Sequence, residues 1–240
     1  MSADLIVLIT VVLIASILQT STGYGFSIIG TPFLLLMYPV HTAIQINIVL
    51  SICLSAAMIF KIRKEVDTVL LMRLIKGSIV GLLIGIFVYL YININLLKMS
   101  VGLLIVVLTI LLILQWTIKR TSKRDLMTGS LSGLLTTSVG VPGPPLLLYF
   151  SGAKMDVVTL RSTTLAYYLF VYVASLMMQI TFGGTNKQVW TDAMLALPAL
   201  FAGVFLGQWL FKRISQAIFL LITYLTLIGT GIYLFLSGMY

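Results

Sequence analysis

The chain has 240 residues, of which 60% are hydrophobic and only 9% are charged. A soluble domain carries about 25% charged residues, so this chain cannot cover a water-facing surface and must have lipid as its main solvent. The net charge is +9. A basic protein binds nucleic acid only if its Lys and Arg residues form a basic face exposed to water. Most Lys and Arg instead lie in short loops between apolar runs, as in cytoplasmic loops of membrane proteins. The bilayer is therefore an expected partner, and nucleic acid is not.

Ten apolar runs follow one another along the chain. They cover residues 5–18, 26–38, 43–60, 69–91, 96–116, 126–135, 144–150, 157–181, 190–211 and 214–236. Three of them, 26–38, 126–135 and 144–150, are too short to cross about 30 Å of hydrocarbon alone. The total length allows about eight membrane-inserted helices. We therefore predict an all-α, polytopic helical membrane protein with a single transmembrane domain over residues 1–240.

Two polar, glycine-rich breaks interrupt the apolar runs, at residues 19–25 and 136–145. Irregular backbone at membrane depth leaves N–H and C=O groups unpaired, and it survives only when it is buried in protein or lines a wet cavity. A helix that restarts after such a break points free N–H groups and a positive dipole end at that cavity. The breaks therefore predict an anion site. Two packing kinks without a ligand are the alternative.

The two halves of the chain carry similar features in the same order. A shift of 115 residues lays residues 19–25 over 134–140 and Asn47 over Ser162. With seven further residues inserted, Gly81 and Gly85 fall on Gly203 and Gly207. This order indicates a duplication, with repeat 1 at about residues 1–118 and repeat 2 at about 119–240.

The distribution of basic residues predicts the orientation. Three loops are rich in Lys and Arg and should be cytoplasmic, whereas 92–95 and 182–189 are poor in charge and should lie outside. The basic clusters are Lys61, Arg63 and Lys64; Lys119, Arg120, Lys123 and Arg124; and Lys212 and Arg213. The chain must cross the membrane an odd number of times between the second cluster and residues 182–189. The run at 157–181 supplies one crossing, so residues 126–150 must enter and return to the same side as a broken hairpin. By the repeat, residues 5–38 form the matching hairpin, so each half is one hairpin plus three spans.

Three spans in each half give the halves opposite topology, and inverted repeats of this kind are a transporter architecture. Both termini then lie on the outer side of the cytoplasmic membrane. This topology fails if residues 5–18 form a simple full span rather than a limb of a hairpin.

The candidate substrate-binding residues lie in the two breaks or on the helices that follow them. They are Thr22, Gly23, Tyr24, Gly25, Gln45, Asn47, Thr137, Ser138, Gly140, Gly143, Arg161 and Ser162. Arg161 either snorkels to the cytoplasmic interface or attracts anions to the inner mouth. No carboxylate lies in mid-membrane, where proton-coupled carriers usually place one. One cysteine, one histidine and no catalytic motif predict no enzyme, no metal site and no cofactor.

Residues 129–148, GSLSGLLTTSVGVPGPPLLL, followed by Arg161-Ser162-Thr163, resemble the second repeat of the sulfite exporter TauE/SafE family. Thr22-Gly23-Tyr24-Gly25, Pro32 and Asn47 look like that family's first repeat. The resemblance implies a transporter of small sulfur-containing anions such as sulfite or organosulfonates. A channel-like anion pore, a carrier of another small organic anion and a membrane scaffold without transport remain alternatives. The sequence leaves a homo-oligomer open.

Overall fold

The structure is a computed structural model that describes residues 3–23, 26–91, 93–114, 120–153, 155–211 and 216–239. Over these residues it contains ten α-helices and no strand, which confirms the all-α prediction. The helices are α1 (Ala3–Thr22), α2 (Phe26–Met37), α3 (Val40–Ile62), α4 (Thr68–Tyr91), α5 (Ile94–Ile113), α6 (Ser122–Val139), α7 (Gly143–Gly152), α8 (Val157–Gly183), α9 (Lys187–Phe211) and α10 (Gln216–Ser237). A short 3-10 turn, Arg63–Glu65, follows α3.

Five of the described helices, α3, α4, α5, α8 and α9, are long and apolar enough to cross a membrane. By contrast, α2 has 12 residues and α7 has 10. At about 1.5 Å per residue these two helices are roughly 18 and 15 Å long, well short of a bilayer. The length predicted about eight membrane-inserted helices, and the described residues contain ten helices, of which α2 and α7 are short.

Glycines bring α4 into close contact with α6. A Cβ atom on Gly77 or Gly81 would overlap the backbone carbonyl of Leu126 or Ser130, and one on Gly85 would lie 2.7 Å from the Leu134 carbonyl oxygen. Lipid gives helices no hydrophobic reason to associate, so backbone contact and van der Waals packing hold such pairs together. The ladder of small residues is therefore the surface on which these two helices meet.

A second glycine pair joins α9 to α1 in the same way. A Cβ atom on Gly203 would lie 2.8 Å from the Leu13 carbonyl oxygen, and one on Gly207 would lie 2.6 Å from that of Ile17. Further extensive contacts join α5 to α10, and α8 to both α3 and α4. The fourth helix of each half thus packs on the first helix of the other half.

Several features of the two halves lie 117 positions apart, whereas the alignment by sequence used a shift of 115 residues. Gly23 and Gly140 have this separation, and both have positive φ. The first residues of α2 and α7, Phe26 and Gly143, have it as well, as do those of α3 and α8. Other helix ends differ, since α4 and α9 begin 119 positions apart and α2 and α7 end 115 positions apart. A separation of 117 pairs Asn47 with Thr164, whereas the shift of 115 pairs it with Ser162.

A network of ion pairs joins the loops at the predicted cytoplasmic side. Asp125, in the first turn of α6, is fully buried and accepts hydrogen bonds from Arg73 of α4 at 3.1 Å and from the Tyr149 hydroxyl of α7 at 2.5 Å. Arg120 lies 3.8 Å from Asp125 and 2.8 Å from Asp67. The pKa of the Asp67 carboxyl is lowered on balance. Burial raises this pKa, but the hydrogen bonds from the Leu70 N–H and from Arg120 lower it by more.

Candidate functional site

Both breaks contain a glycine in the left-handed conformation. Gly23 has a φ of +85° and Gly140 a φ of +75°, a region that side-chain-bearing residues rarely adopt. The Gly140 N–H donates to the Thr136 carbonyl at 2.8 Å, and the Val141 N–H donates to the Leu135 carbonyl at 3.3 Å. The Gly140 bond is that of an αL helix end, so α6 ends at the second break for a local reason encoded by glycine.

Each break packs on a helix from the other half of the chain. A Cβ atom on Gly23 would lie 3.1 Å from the Cα atom of Arg161 on α8. One on Gly140 would lie 3.0 Å from Nδ2 of Asn47 and 3.4 Å from Cγ2 of Ile44, both on α3. Neither position has room for a side chain. The glycines are therefore required both by the backbone conformation and by the close approach of these helices.

Asn47 links three parts of this region. Its Nδ2 atom donates a hydrogen bond to the Gly140 carbonyl at 2.9 Å. Its Oδ1 atom faces Gly30 of α2, where a Cβ would lie 3.1 Å away. The side chain is fully buried, and Oδ1 has no hydrogen-bond partner among the described residues. One strong acceptor thus remains available beside the second break.

At each break, one further side chain links the residues on its two sides by a hydrogen bond. The Phe26 N–H at the start of α2 donates to Oε1 of Gln19 at 2.9 Å, across the first break. The Ser132 hydroxyl of α6 donates to the Pro142 carbonyl at 2.8 Å, across the second break. Neither residue was among the candidates. A polar residue one or two turns before a helix-ending glycine is the signal that could have indicated them.

The start of α7 lies against α8 and α2. A Cβ atom on Gly143 would lie 3.1 Å from the Tyr168 hydroxyl oxygen and 3.3 Å from Cδ1 of Ile28. The Tyr168 side chain is almost completely buried. The N-terminus of α7 therefore faces a tyrosine inside the bundle rather than lipid.

Arg161 lies in the second turn of α8 and is only 9% exposed. A side chain that snorkels along the lipid boundary keeps its charged end accessible, whereas this one is enclosed by protein. Ser162, the next residue, is also buried. Arg161 therefore lies beside Gly23 at the first break, with its side chain inside the protein.

Three other candidates use their side chains in contacts between or within helices. Gln45 donates from Nε2 to the Gly184 carbonyl at 2.8 Å, between α8 and α9. It does not face the second break as Asn47 does, because residues two positions apart on a helix point in nearly opposite directions. The Thr137 hydroxyl contacts Ser175 of α8 at 2.9 Å. The Ser138 hydroxyl donates to the Leu134 carbonyl of its own helix at 2.8 Å. These contacts stabilise helix packing.

The remaining candidates lie at the end of the first break. Thr22 ends α1, but its side chain lies outside the described residues, as do Tyr24 and Gly25 entirely. Within the described part of the chain, no group of three or more His, Cys, Asp or Glu side chains could hold a metal ion.

The fold and these buried breaks define a polytopic helical membrane protein with a polar centre. The family model of the sulfite exporter TauE/SafE family matches residues 8–234, nearly the whole chain, and the chain belongs to this family. Searches of curated proteins and of solved structures gave no significant match. Family membership makes the chain an integral membrane transporter of the sulfite or small-anion type, with lipid and a small anionic solute as its partners.

Proposed function

We propose that the protein exports small sulfur-containing anions, such as sulfite or an organosulfonate, across the cytoplasmic membrane through a site at the two breaks. The observation that carries this proposal is the pairing of each left-handed glycine with the opposite half of the chain. Gly23 packs on Arg161 of α8, and Gly140 packs on Asn47 of α3. The substrate would bind where these contacts meet, and Gly143 and Ser162 lie beside them.

The chemistry of the site suits an anion. Two short helices, α2 and α7, begin directly after the breaks, and helix N-termini attract negative charge through free N–H groups and the helix dipole. Arg161 adds a buried positive charge. The carboxylates of Glu65, Asp67, Asp125, Asp156 and Asp192 lie in loops or within the first two turns of a helix. None of these carboxylates belongs to the residues of the two breaks.

The energetics favour export over uptake. A cell interior is electrically negative, so moving one negative charge outward gains about 2.3 kcal/mol per 100 mV. That energy corresponds to roughly a 50-fold concentration ratio. Export of an anion needs no coupling ion, whereas uptake does. The absence of a mid-membrane carboxylate from the sequence is consistent with export.

The exchange of partners between halves supports an inverted repeat with a register of 117. The pairs α1–α9 and α4–α6 would be equivalent, and so would the two breaks. In transporters with inverted repeats, one half rocks against the other around a central site. The two breaks would then take equivalent positions in the inward-open and outward-open states.

A flux screen of the purified protein in sealed liposomes tests the proposal. Liposomes are loaded with sulfite, thiosulfate, sulfoacetate, taurine or a carboxylate, and efflux is followed with and without a negative internal potential. We expect saturable sulfite or sulfonate efflux that a negative interior accelerates, and no such flux from protein-free liposomes. Unitary currents would indicate a pore instead, and the absence of flux for every solute would indicate a scaffold.

A further inference from the structure

Seven buried hydroxyl groups among the described residues donate a hydrogen bond within their own helix. Donation to a carbonyl three or four residues earlier is the usual solution for Ser and Thr in apolar helices. It is made here by Ser16, Ser21, Ser78, Thr109, Thr136, Thr137 and Ser138. These residues show that the option is generally available to the hydroxyl groups of this bundle.

Another set of hydroxyls does not use that option. Thr31, Ser51 and Ser55 are fully buried, and no hydrogen bond of normal geometry joins their oxygens to the described parts of the chain. An unsatisfied buried polar group costs about 1–3 kcal/mol, and polar residues inside a membrane protein mark function by default. Three such groups on two neighbouring helices, α2 and α3, therefore call for an explanation other than packing.

The three hydroxyls lie on α2 and α3, which pack against each other, and α3 also packs on α8. Ser51 and Ser55 follow Asn47 at every fourth position of α3, so all three share one helix face. On α2, Ser27 and Thr31 share a face for the same reason. The Tyr172 hydroxyl of α8 faces Ser27 and Ser51, although it makes no hydrogen bond of good geometry to any described residue.

We propose that Ser51, Ser55 and Tyr172, together with Ser27 and Thr31, form a second subsite for the transported oxyanion, continuous through Asn47 with the second break. This inference rests on the proposed function and extends it. The hydroxyls can each donate one hydrogen bond, and a sulfur oxyanion offers several acceptor oxygens on one atom. Neutral donors hold an anion without a fixed counter-charge, so binding stays weak enough for release, as conduction through successive sites requires.

The test compares Ser51→Ala and Tyr172→Phe with Ser78→Ala. Ser78 is a matched control because it is fully buried and its hydroxyl donates to the Ile75 carbonyl at 2.8 Å. We expect Ser51→Ala and Tyr172→Phe each to raise the apparent KM for sulfite roughly tenfold, the effect of losing one hydrogen bond to a charged group. Ser78→Ala should keep the wild-type KM, and Ser51→Thr should restore most of the affinity.

Thermal unfolding with and without sulfite separates binding from folding. Removing a hydroxyl that has no protein partner should leave the unfolding temperature of the ligand-free protein unchanged or higher, while the stabilisation by sulfite is reduced. Wild-type transport combined with a normal sulfite KM in Ser51→Ala and Tyr172→Phe would overturn this subsite and leave the proposed function intact. A change in sodium dependence at unchanged anion affinity would also overturn it. No anion flux in the wild type would overturn the proposed function itself.

Discussion

Gly23 and Gly140 are the residues on which the geometry of the breaks depends. A non-glycine residue in the left-handed region costs roughly 1–2 kcal/mol, and a methyl group at either position would crowd α8 or α3. We expect Gly23→Ala and Gly140→Ala to lower the unfolding temperature modestly and to reduce sulfite flux by a larger factor. Flux is measured on matched amounts of folded protein in liposomes.

Gly229→Ala provides the control for these variants. Gly229 lies within α10, and a methyl group added there would have no neighbour within 4 Å among the described residues. Alanine should therefore keep stability or raise it by up to about 1 kcal/mol. If Gly23→Ala and Gly140→Ala transport as well as Gly229→Ala does, the breaks are packing kinks and the anion site lies elsewhere.

Arg161 provides a test of anion attraction. If its charge draws anions to the first break, Arg161→Gln should raise the apparent KM for sulfite roughly tenfold, as loss of a charge-assisted contact would. Arg161→Lys should restore part of the affinity, because the charge returns without the planar guanidinium fork. Added salt should weaken the wild type more than the Gln variant, since screening acts on the charge.

The measurement for Arg161 is concentration-dependent flux at two ionic strengths, normalised to folded protein. A role in anchoring alone predicts a lower folded yield for Arg161→Gln with little change in affinity. An unchanged KM in Arg161→Gln would therefore remove this residue from the substrate site.

At the scale of helices, the contact between α4 and α6 depends on the absence of side chains. A methyl group on Gly81 would overlap the Ser130 carbonyl, and backbone cannot move aside as a flexible side chain can. We expect Gly81→Ala to destabilise the protein by about 1–3 kcal/mol, the usual cost of overpacking, and Gly203→Ala to act similarly on α1 and α9. Unfolding temperatures in detergent measure both effects. A wild-type value for Gly81→Ala would show that the helices are not held this closely.

The ion-pair network around Asp125 holds α4, α6 and α7 together at one end. Asp125→Asn keeps the shape of the side chain but removes the charge that Arg73 and Arg120 contact. Hydrogen bonds to charged groups contribute about 1.5–3 kcal/mol, so we expect a loss of stability within that range. Glu65→Gln, on an exposed residue of the same side, is the control. Chemical denaturation measures the free energy of unfolding of both variants. Equal values for Asp125→Asn and Glu65→Gln would show that the network does not stabilise the protein.

The whole molecule is expected to have both termini outside, because the Lys- and Arg-rich loops should remain in the cytoplasm. Accessibility tags at Val66 and Ser122 should report the cytoplasm. Tags at Asn186, at the N-terminus and at the C-terminus should report the outside. Labelling of intact cells with a membrane-impermeant reagent measures this. A cytoplasmic C-terminus would exclude the inverted repeat.

Most helices could be predicted from the apolar runs, but their ends could not. The run at 126–135 marks only part of α6, which begins at Ser122. The Thr121 side chain accepts a hydrogen bond from the Arg124 N–H at 3.3 Å and so caps a polar first turn that hydropathy cannot detect. The two breaks were predictable because glycine and proline alter the backbone wherever they occur.

The sequence alone determined the class of protein, since a chain with 9% charged residues has no stable surface in water. It also determined where the helices break. Only the tertiary structure decided which polar side chains meet at those breaks. Asn47 faces Gly140, while Gln45, two positions away, bonds to Gly184. When every face of a helix is apolar, hydropathy does not distinguish the face that meets lipid from the one that meets protein. Contacts between distant helices make that distinction, and they bury Ser51, Ser55 and Asp125.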